Sequence, residues 1–376
     1  MRVLYVASDQ TLPGETGGSV HVHEVSRELA KRGHEVHAVV QDRGETSPGE
    51  GYSVHRIRWT PSHRLFRFRA RPQIAALIDR LRPDVVMERY YNFGGEGILA
   101  AEAVGVPSLL EVNSPVVDHE ESLKALLDVL LIVRPMRAYR ERLVRAASAL
   151  ISPIKDIVPE FARTKTHIVT WGANVEAFHP SRRSESRRAR WGASSGTTVV
   201  LFSGSHRPWH GVATLVRAAR LLQGRADIVF VLAGGAKERA APDFRGRHLG
   251  RVPYRDMPEV TASADISVAP YDRSRLRSLK LGFFWSPLKI FEALASGVPM
   301  ITLGIPPLNQ IVREGQEGAF FKENDPADLA RVIGALASDP DRRLAMSKNA
   351  RERAPLFSWA AHAAQVESIL RGLRAA

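Results

Sequence analysis

Short apolar runs alternate along this chain with longer stretches of helical periodicity, and the alternation happens twice. Runs at 3–7, 35–40, 84–87, 108–112 and 149–152 have the length of buried strands, and 22–32 and 73–81 between them carry helical patterns. After a polar break the rhythm restarts. Strands are predicted at 198–203, 227–233, 266–269 and 299–302, and helices at 212–222, 257–263, 287–295 and 326–338. Strands joined through helices pair in parallel, with helices on both faces of the sheet. Two such sets predict an α/β protein with two Rossmann-like, doubly wound domains. The break, 181–191, is rich in Arg and Ser and follows Gly172, Asn174 and Pro180, so it reads as a linker. The domain boundary is expected near residue 175.

The length of 376 residues agrees with two domains, and 44% hydrophobic with 25% charged residues is the balance of a globular protein. There is no cysteine, which excludes disulfides, thiolate nucleophiles and zinc–thiolate sites. The first apolar run is shorter than a signal-peptide core, and no run approaches the ~20 apolar residues of a membrane helix. A cytoplasmic protein is expected. The net charge of +13 fits nucleic acid, an anionic membrane face or anionic small molecules such as nucleotide sugars. Because Arg far outnumbers Lys, a high-GC composition bias accounts for the charge equally well. No nucleic-acid motif supports the first partner.

Four segments carry candidate chemistry. The first strand leads into a loop holding Gly17 and Gly18, with a helix directly after it. Glycines there let backbone amides approach a phosphate, although an ordinary tight turn reads the same way. Gly33 caps that helix, and the neighbouring His34 is read as structural. The second domain opens on a strand followed by Gly204, His206, Arg207, His210 and Gly211, a glycine-rich basic turn suited to a diphosphate. The most specific segment runs from Phe284 to Pro299. Ser286 is expected as N-cap and Pro287 as first helical residue, with Lys289 adding charge beside free amides. Glu292, on an apolar helix, needs a partner, and a ribose would be one. A surface pairing with Lys289 is the alternative.

With these segments in this order, the chain resembles glycosyltransferase family 4, of the GT-B fold, over nearly all its length. The resemblance implies an N-terminal acceptor-binding domain, 1–175, with the C-terminal helix, 356–376, packing back on it. It implies a nucleotide-sugar-binding domain, 176–355, and a central cleft. It further implies that Gly17 and Gly18 face the donor phosphate and acceptor. The helix from Ser286, Pro287 and Leu288 through Lys289 holds the diphosphate, and Glu292 binds the ribose. Gly204, Arg207, His210 and Val252 complete the donor set. Asn113, Arg207, Lys289 and Glu292 are the implied catalytic residues, and Gly18, Arg89, Tyr90 and Asn113 the acceptor contacts. The implied reaction retains anomeric configuration, without an obligatory metal or other cofactor.

Three positions depart from the family pattern. Phe284 stands where a first glutamate is usual, His210 where a lysine is usual, and Asn113 where many members have a histidine. Asn113 cannot act as a general base but can orient a hydroxyl. His210, partly charged at pH 7, is expected to make diphosphate affinity pH-dependent. Two further stretches are open. Arg89 to Gly95 can line an acceptor pocket or simply pack a loop. The Arg- and Phe-rich 61–71 can dock peripherally on an anionic inner-membrane face or form a mobile rim. The expected function is a retaining glycosyltransferase acting from a nucleotide diphosphate sugar on an unidentified acceptor. A GT-B epimerase or phosphorylase, or a degenerate nucleotide-sugar-binding protein, are the rivals.

Overall fold

The computed structural model describes residues 1–42, 49–58, 67–91, 94–117, 134–235 and 246–375. It divides into two compact units. One comprises Met1–Trp171, Phe284–Ser286 and Trp359–Ala376, the other Gly172–Phe283 and Pro287–Ser358.

The first unit is built on a seven-stranded sheet of β1 (Arg2–Val6), β2 (Glu35–Gln41), β3 (Ser53–Ile57), β4 (Val85–Arg89), β5 (Ser108–Glu111), β6 (Ala149–Ser152) and β7 (Thr166–Ile168), in the order β3-β2-β1-β4-β5-β6-β7. The second holds β8 (Thr198–Ser203), β9 (Ile228–Ala233), β10 (Arg247–Gly250), β11 (Ile266–Val268), β12 (Met300–Leu303) and β13 (Gly318–Phe321), in the order β10-β9-β8-β11-β12-β13. Every strand pairing among the described residues is parallel. Each unit is therefore doubly wound, with its strand order reversing at β1/β4 and at β8/β11. Such folds receive ligands at the carboxyl ends of the strands beside that reversal.

The helices of the first unit are α1 (Gly17–Lys31), α2 (Arg71–Leu81), α3 (Glu96–Ala103) and α4 (Arg134–Ala146). The second unit holds α5 (Glu185–Trp191), α6 (Val212–Leu221), α7 (Met257–Ala262), α8 (Leu288–Ala295), α9 (Leu308–Ile311), α10 (Pro326–Ala337) and α11 (Pro340–Arg353). The last helix, α12 (Trp359–Ala375), returns to the first unit. There Glu367 bonds Arg32 and approaches His34 at 3.2 Å, and His362 Nδ1 lies 2.8 Å from the Thr170 carbonyl. His34 is thus a buried tie between the end of α1 and α12.

The segment 181–191, read from its composition as a linker, instead forms the end of a short 3-10 turn, Pro180–Arg182, and then α5 from Glu185. Ser184 caps its start by accepting from the Arg187 amide, and Gly192, at φ 87°, ends it. Its arginines are not all solvated: Arg188 is buried and donates to Asp265 at 2.8 Å and to two backbone carbonyls. A buried guanidinium needs such partners, and the surrounding chain supplies them. The four strands that the apolar pattern missed, β3, β7, β10 and β13, are the outermost strands of the two sheets.

Candidate active site

At the carboxyl edge of the second unit's sheet, β8 ends at Ser203 and the chain turns at Gly204, at φ 148°. A Cβ there would lie 2.7 Å from Lys289 Nζ and 3.4 Å from His210 Nδ1. Gly211, at φ 68°, is still more constrained, since a Cβ would fall 1.5 Å from the Pro270 carbonyl oxygen. The turn after β8 therefore lies flat against the segment after β11, which only glycine permits.

Lys289 sits in the first turn of α8 and brings its ammonium under this turn. The Nζ is buried and makes no hydrogen bond among the described residues. It lies 4.2 Å from the centroid of the Phe202 ring and 5.4 Å from that of Tyr271. Cation–π attraction offsets part of the desolvation, but burial still pushes its pKa down to about 7, with Glu292 pulling the other way. His210 is driven down to about 2, first by burial and then by Lys289, His206 and Arg207. His206 falls to about 4 through burial, His248 and Lys289. Arg207 is exposed, with its guanidinium 5.8 Å from the Trp209 ring. Glu292, one turn along α8, is buried at 5% exposure, so it does not form a surface pair with Lys289. No side chain caps α8, whose first amides stand beside these cations. An ammonium depressed by burial, as Lys289 is, would have its charged form restored by an incoming anion.

The first unit assembles a different arrangement at the ends of β1, β4 and β5. The Glu111 carboxylate, 2% exposed, accepts from Tyr5 Oη at 2.6 Å, His21 Nε2 at 2.6 Å, Asn113 Nδ2 at 2.7 Å and Trp171 Nε1 at 3.3 Å. His21 stacks on Trp171 at 4.4 Å, and Arg89 lies 5.3 Å from the same ring. Burial opposes ionisation of Glu111, but His21, Arg89 and Tyr5 together hold its carboxyl well below the usual range. Arg89 also faces Asp9 at 3.5 Å. Beside it, fully buried Arg67 donates to Glu96 at 2.9 Å. Glu88 closes the start of α3 by accepting from the amides of Gly95, Gly97 and Ile98. Burial and Glu96 push Glu88 upward in pKa.

Residues 16–176 match the family model described as Glycosyltransferase Family 4, and residues 197–339 match that of Glycosyl transferases group 1. The chain belongs to glycosyltransferase family 4. It is 26% identical to the D-inositol 3-phosphate glycosyltransferase of Corynebacterium glutamicum, covering 95% of this chain and 92% of that protein. It is 28% identical to the protein of that name from Geodermatophilus obscurus, covering 93% and 84%. Among solved structures it resembles sucrose-phosphate synthase from Thermosynechococcus elongatus, with a TM-score of 0.75 and 19% identity over 100% and 99% of the two chains. It also resembles Anabaena HepE in complex with UDP, with a TM-score of 0.74 and 18% identity over 99% and 100%. The fold is GT-B.

The structure of this family 4 glycosyltransferase brings Gly204, His210 and Lys289 together, with Arg207 at the rim, in the second unit. In the first unit it joins Asn113 and the start of α1 through Glu111. Gly17 and Gly18 are the first two residues of α1, not loop residues, behind Thr16 as N-cap. Val252 is half-buried just beyond β10.

Several expectations are corrected. Ser286 does not cap α8: Pro287 holds the N-cap position, helix begins at Leu288, and Ser286 Oγ is buried without a hydrogen bond among the described residues. His210 is not a half-charged group near neutrality, because burial among Lys289, His206 and Arg207 keeps it neutral. Tyr90 is buried, and Tyr91, at 47% exposure, is the accessible ring. Asn92 and Phe93 fall outside the described residues. So do 61–66, while Arg67 is fully buried and unavailable to a bilayer. No helix among the described residues is long and apolar enough to cross a membrane. Sequence reasoning missed Tyr5, His21 and Trp171 as partners of Glu111. The one available signal was an ionisable residue, Glu111, inside the apolar run 108–112.

Proposed function

We propose that this glycosyltransferase takes its sugar from a nucleotide diphosphate donor held in the second unit. We propose further that it passes the sugar, with retention, to a hydroxyl of an acceptor bound at the first. The observation that carries the donor assignment is the buried, unbonded ammonium of Lys289 beneath the Gly204 turn and at the start of α8. A diphosphate there would gain a charge-assisted hydrogen bond and helix amides, and would reverse the desolvation that depresses Lys289. Arg207 can swing in from the rim, and Glu292 is assigned to the ribose hydroxyls. The complexes of HepE with UDP and UDP-glucose support a nucleotide sugar as donor.

In the proposed reaction the bond from the anomeric carbon to the β-phosphate oxygen breaks as the acceptor oxygen bonds that carbon from the same face. The acceptor proton passes to the departing phosphate. Lys289 and Arg207 stabilise the charge growing on that phosphate, which is where a divalent cation would otherwise act. No obligatory metal is therefore proposed. Asn113 and Gly18 receive the acceptor, with Arg89 beside them. The shared name of the curated relatives makes D-inositol 3-phosphate the first acceptor to try.

Incubation with a panel of nucleotide sugars, with and without D-inositol 3-phosphate, tests the proposal. Slow release of nucleoside diphosphate, with the product keeping its anomeric configuration, is the expected result. Interconversion of donor sugars would instead mark an epimerase, and ligand-induced thermal stabilisation with no chemistry a binding protein.

A further inference from the structure

We infer that Glu111 is a positioning residue that fixes the Asn113 amide in one orientation, leaving Oδ1 as the group that receives the acceptor's hydroxyl. The inference rests on the proposed role of Asn113 and adds the cause of its orientation.

A free asparagine amide can present either its oxygen or its NH2, and the two are nearly alike in shape. Here the choice is made by a neighbour. An ionised carboxylate accepts about four hydrogen bonds and donates none. Glu111 takes four donors: Tyr5 from β1, His21 from α1, Trp171 from beyond β7, and Asn113 from its own loop. Three of them converge on Oε1 and Tyr5 alone takes Oε2, so the oxygen that Asn113 meets is already fully engaged as an acceptor. Turning the amide over would set Asn113 Oδ1 against that oxygen and lose the 2.7 Å bond. A buried carboxylate cannot tolerate that exchange. Oδ1 itself has no hydrogen bond among the described residues, and Asn113 is half-buried at the carboxyl edge of β5.

An asparagine so held is an obligate acceptor. It selects a ligand group that donates, as a hydroxyl does, and it cannot remove a proton. That fits a reaction whose proton leaves with the phosphate. The charged and titratable groups facing Glu111 are Tyr5 on β1, His21 on α1, Arg89 on β4 and His362 on α12, with Asp9, beyond β1, acting on Tyr5 and Arg89 behind them.

The test uses Asn113→Asp and Glu111→Gln, alone and combined. If Glu111 dictates the orientation, the carboxyl introduced by Asn113→Asp must donate to it. The pKa of that carboxyl, followed by carbon-13 NMR, should then stand at least ~1 unit above the usual ~3.9, because a like charge disfavours ionisation. In the double variant the amide introduced by Glu111→Gln can donate instead, and the pKa should return to the ordinary range or below. This arm needs no substrate. An introduced carboxyl that titrates identically in both backgrounds overturns the proposal.

Transfer from a nucleotide sugar to D-inositol 3-phosphate gives the second arm. Asn113→Ala should lower acceptor kcat/KM by about 10-fold and leave nucleoside diphosphate affinity unchanged. Glu111→Gln should cause a similar loss in the wild type and little further loss on top of Asn113→Ala. If Asn113→Ala transfers normally, the reading of Asn113 as acceptor contact fails. If the two losses simply multiply, Asn113 keeps its role and the positioning by Glu111 fails. Tyr5→Phe removes one of the four donors without touching the Asn113 bond, and should keep transfer within a few-fold, separating orientation from loss of fold.

Discussion

In the first unit the Glu111 carboxylate is met by four hydrogen-bond donors, whereas in the second the Lys289 ammonium is met by two aromatic rings and, among the described residues, no acceptor. Both groups are buried, so both have left water at a cost of several kcal/mol if uncompensated. Glu111 is compensated within the protein by hydrogen bonds, whereas Arg67 and Arg89 are compensated by opposite charge, from Glu96 and Asp9, with Arg67 Nη1 and Arg89 Nε and Nη1 left without a hydrogen bond among the described residues. Lys289 is depressed by burial alone, with Glu292 opposing, and in turn it helps keep His206 and His210 uncharged. A satisfied network holds shape. An unsatisfied one holds affinity in reserve for a ligand of opposite charge.

Replacing Lys289 should break that contrast most visibly. Lys289→Met should weaken nucleoside diphosphate binding by about 10- to 100-fold, the worth of a buried charged hydrogen bond. It should also raise the melting temperature, since a thioether takes the place of a buried, unbonded ammonium. Calorimetry and thermal melts on the same preparations would show both, and a variant that binds normally would remove Lys289 from the site.

Glu292→Ala should reduce donor affinity or turnover at least ~10-fold, with the deficit falling on donor rather than acceptor parameters. Unchanged donor kinetics in a folded variant would make Glu292 a packing residue.

The pH dependence sharpens the comparison further. Free Lys289, with its pKa pushed down to about 7, loses its proton as pH rises through that value, and the bound diphosphate favours the protonated form. Nucleoside diphosphate should therefore bind about 10-fold more tightly at pH 6 than at pH 8. Lys289→Arg, charged throughout, should flatten the profile to what the ligand's own titration leaves. His210→Gln should preserve the slope, because His210, held at about 2, is neutral over the whole range. A slope lost with His210 and kept in Lys289→Arg would return the role to the histidine. The smallest effect is expected from chelation: EDTA should leave transfer largely intact. Activity abolished by EDTA and restored by magnesium or manganese would show that a metal, not Lys289 and Arg207, carries the leaving charge.

What the sequence made legible follows from where water is. β6 and β8 were readable to the residue as apolar runs, because both lie inside their sheets. The unread strands were all edges. In β3 four of five residues, and in β10 three of four, keep some exposure, and β7 ends on two exposed residues. An edge strand half in water has no reason to be apolar; β13, largely buried, was missed instead because its run is short and opens on a glycine. The helix α4 was hidden likewise by its arginines. In the site, glycines and Lys289 could be found because close approach and charge leave a mark on residue type. The Glu111 network could not, since Tyr5, His21, Asn113 and Trp171 lie on four separate segments and meet only once the sheet is formed. His210 misled for a related reason: a residue type gives a pKa range, and only burial fixes the value.

The return of α12 to the first unit has a consequence for biosynthesis. His362 reaches the Thr170 carbonyl across 192 residues of sequence, and Trp359 packs 5.2 Å from the His21 ring that serves Glu111. At roughly 5–20 residues per second, a ribosome spends on the order of 10–40 s between delivering these two sides. All of the second unit emerges in that interval. Until it ends, the face of α1 and the indole of Trp171 that α12 covers stay open to chaperones and to other nascent chains. The first unit to be translated is thus the last to be sealed, and a fragment ending at residue 171 would keep that face exposed permanently.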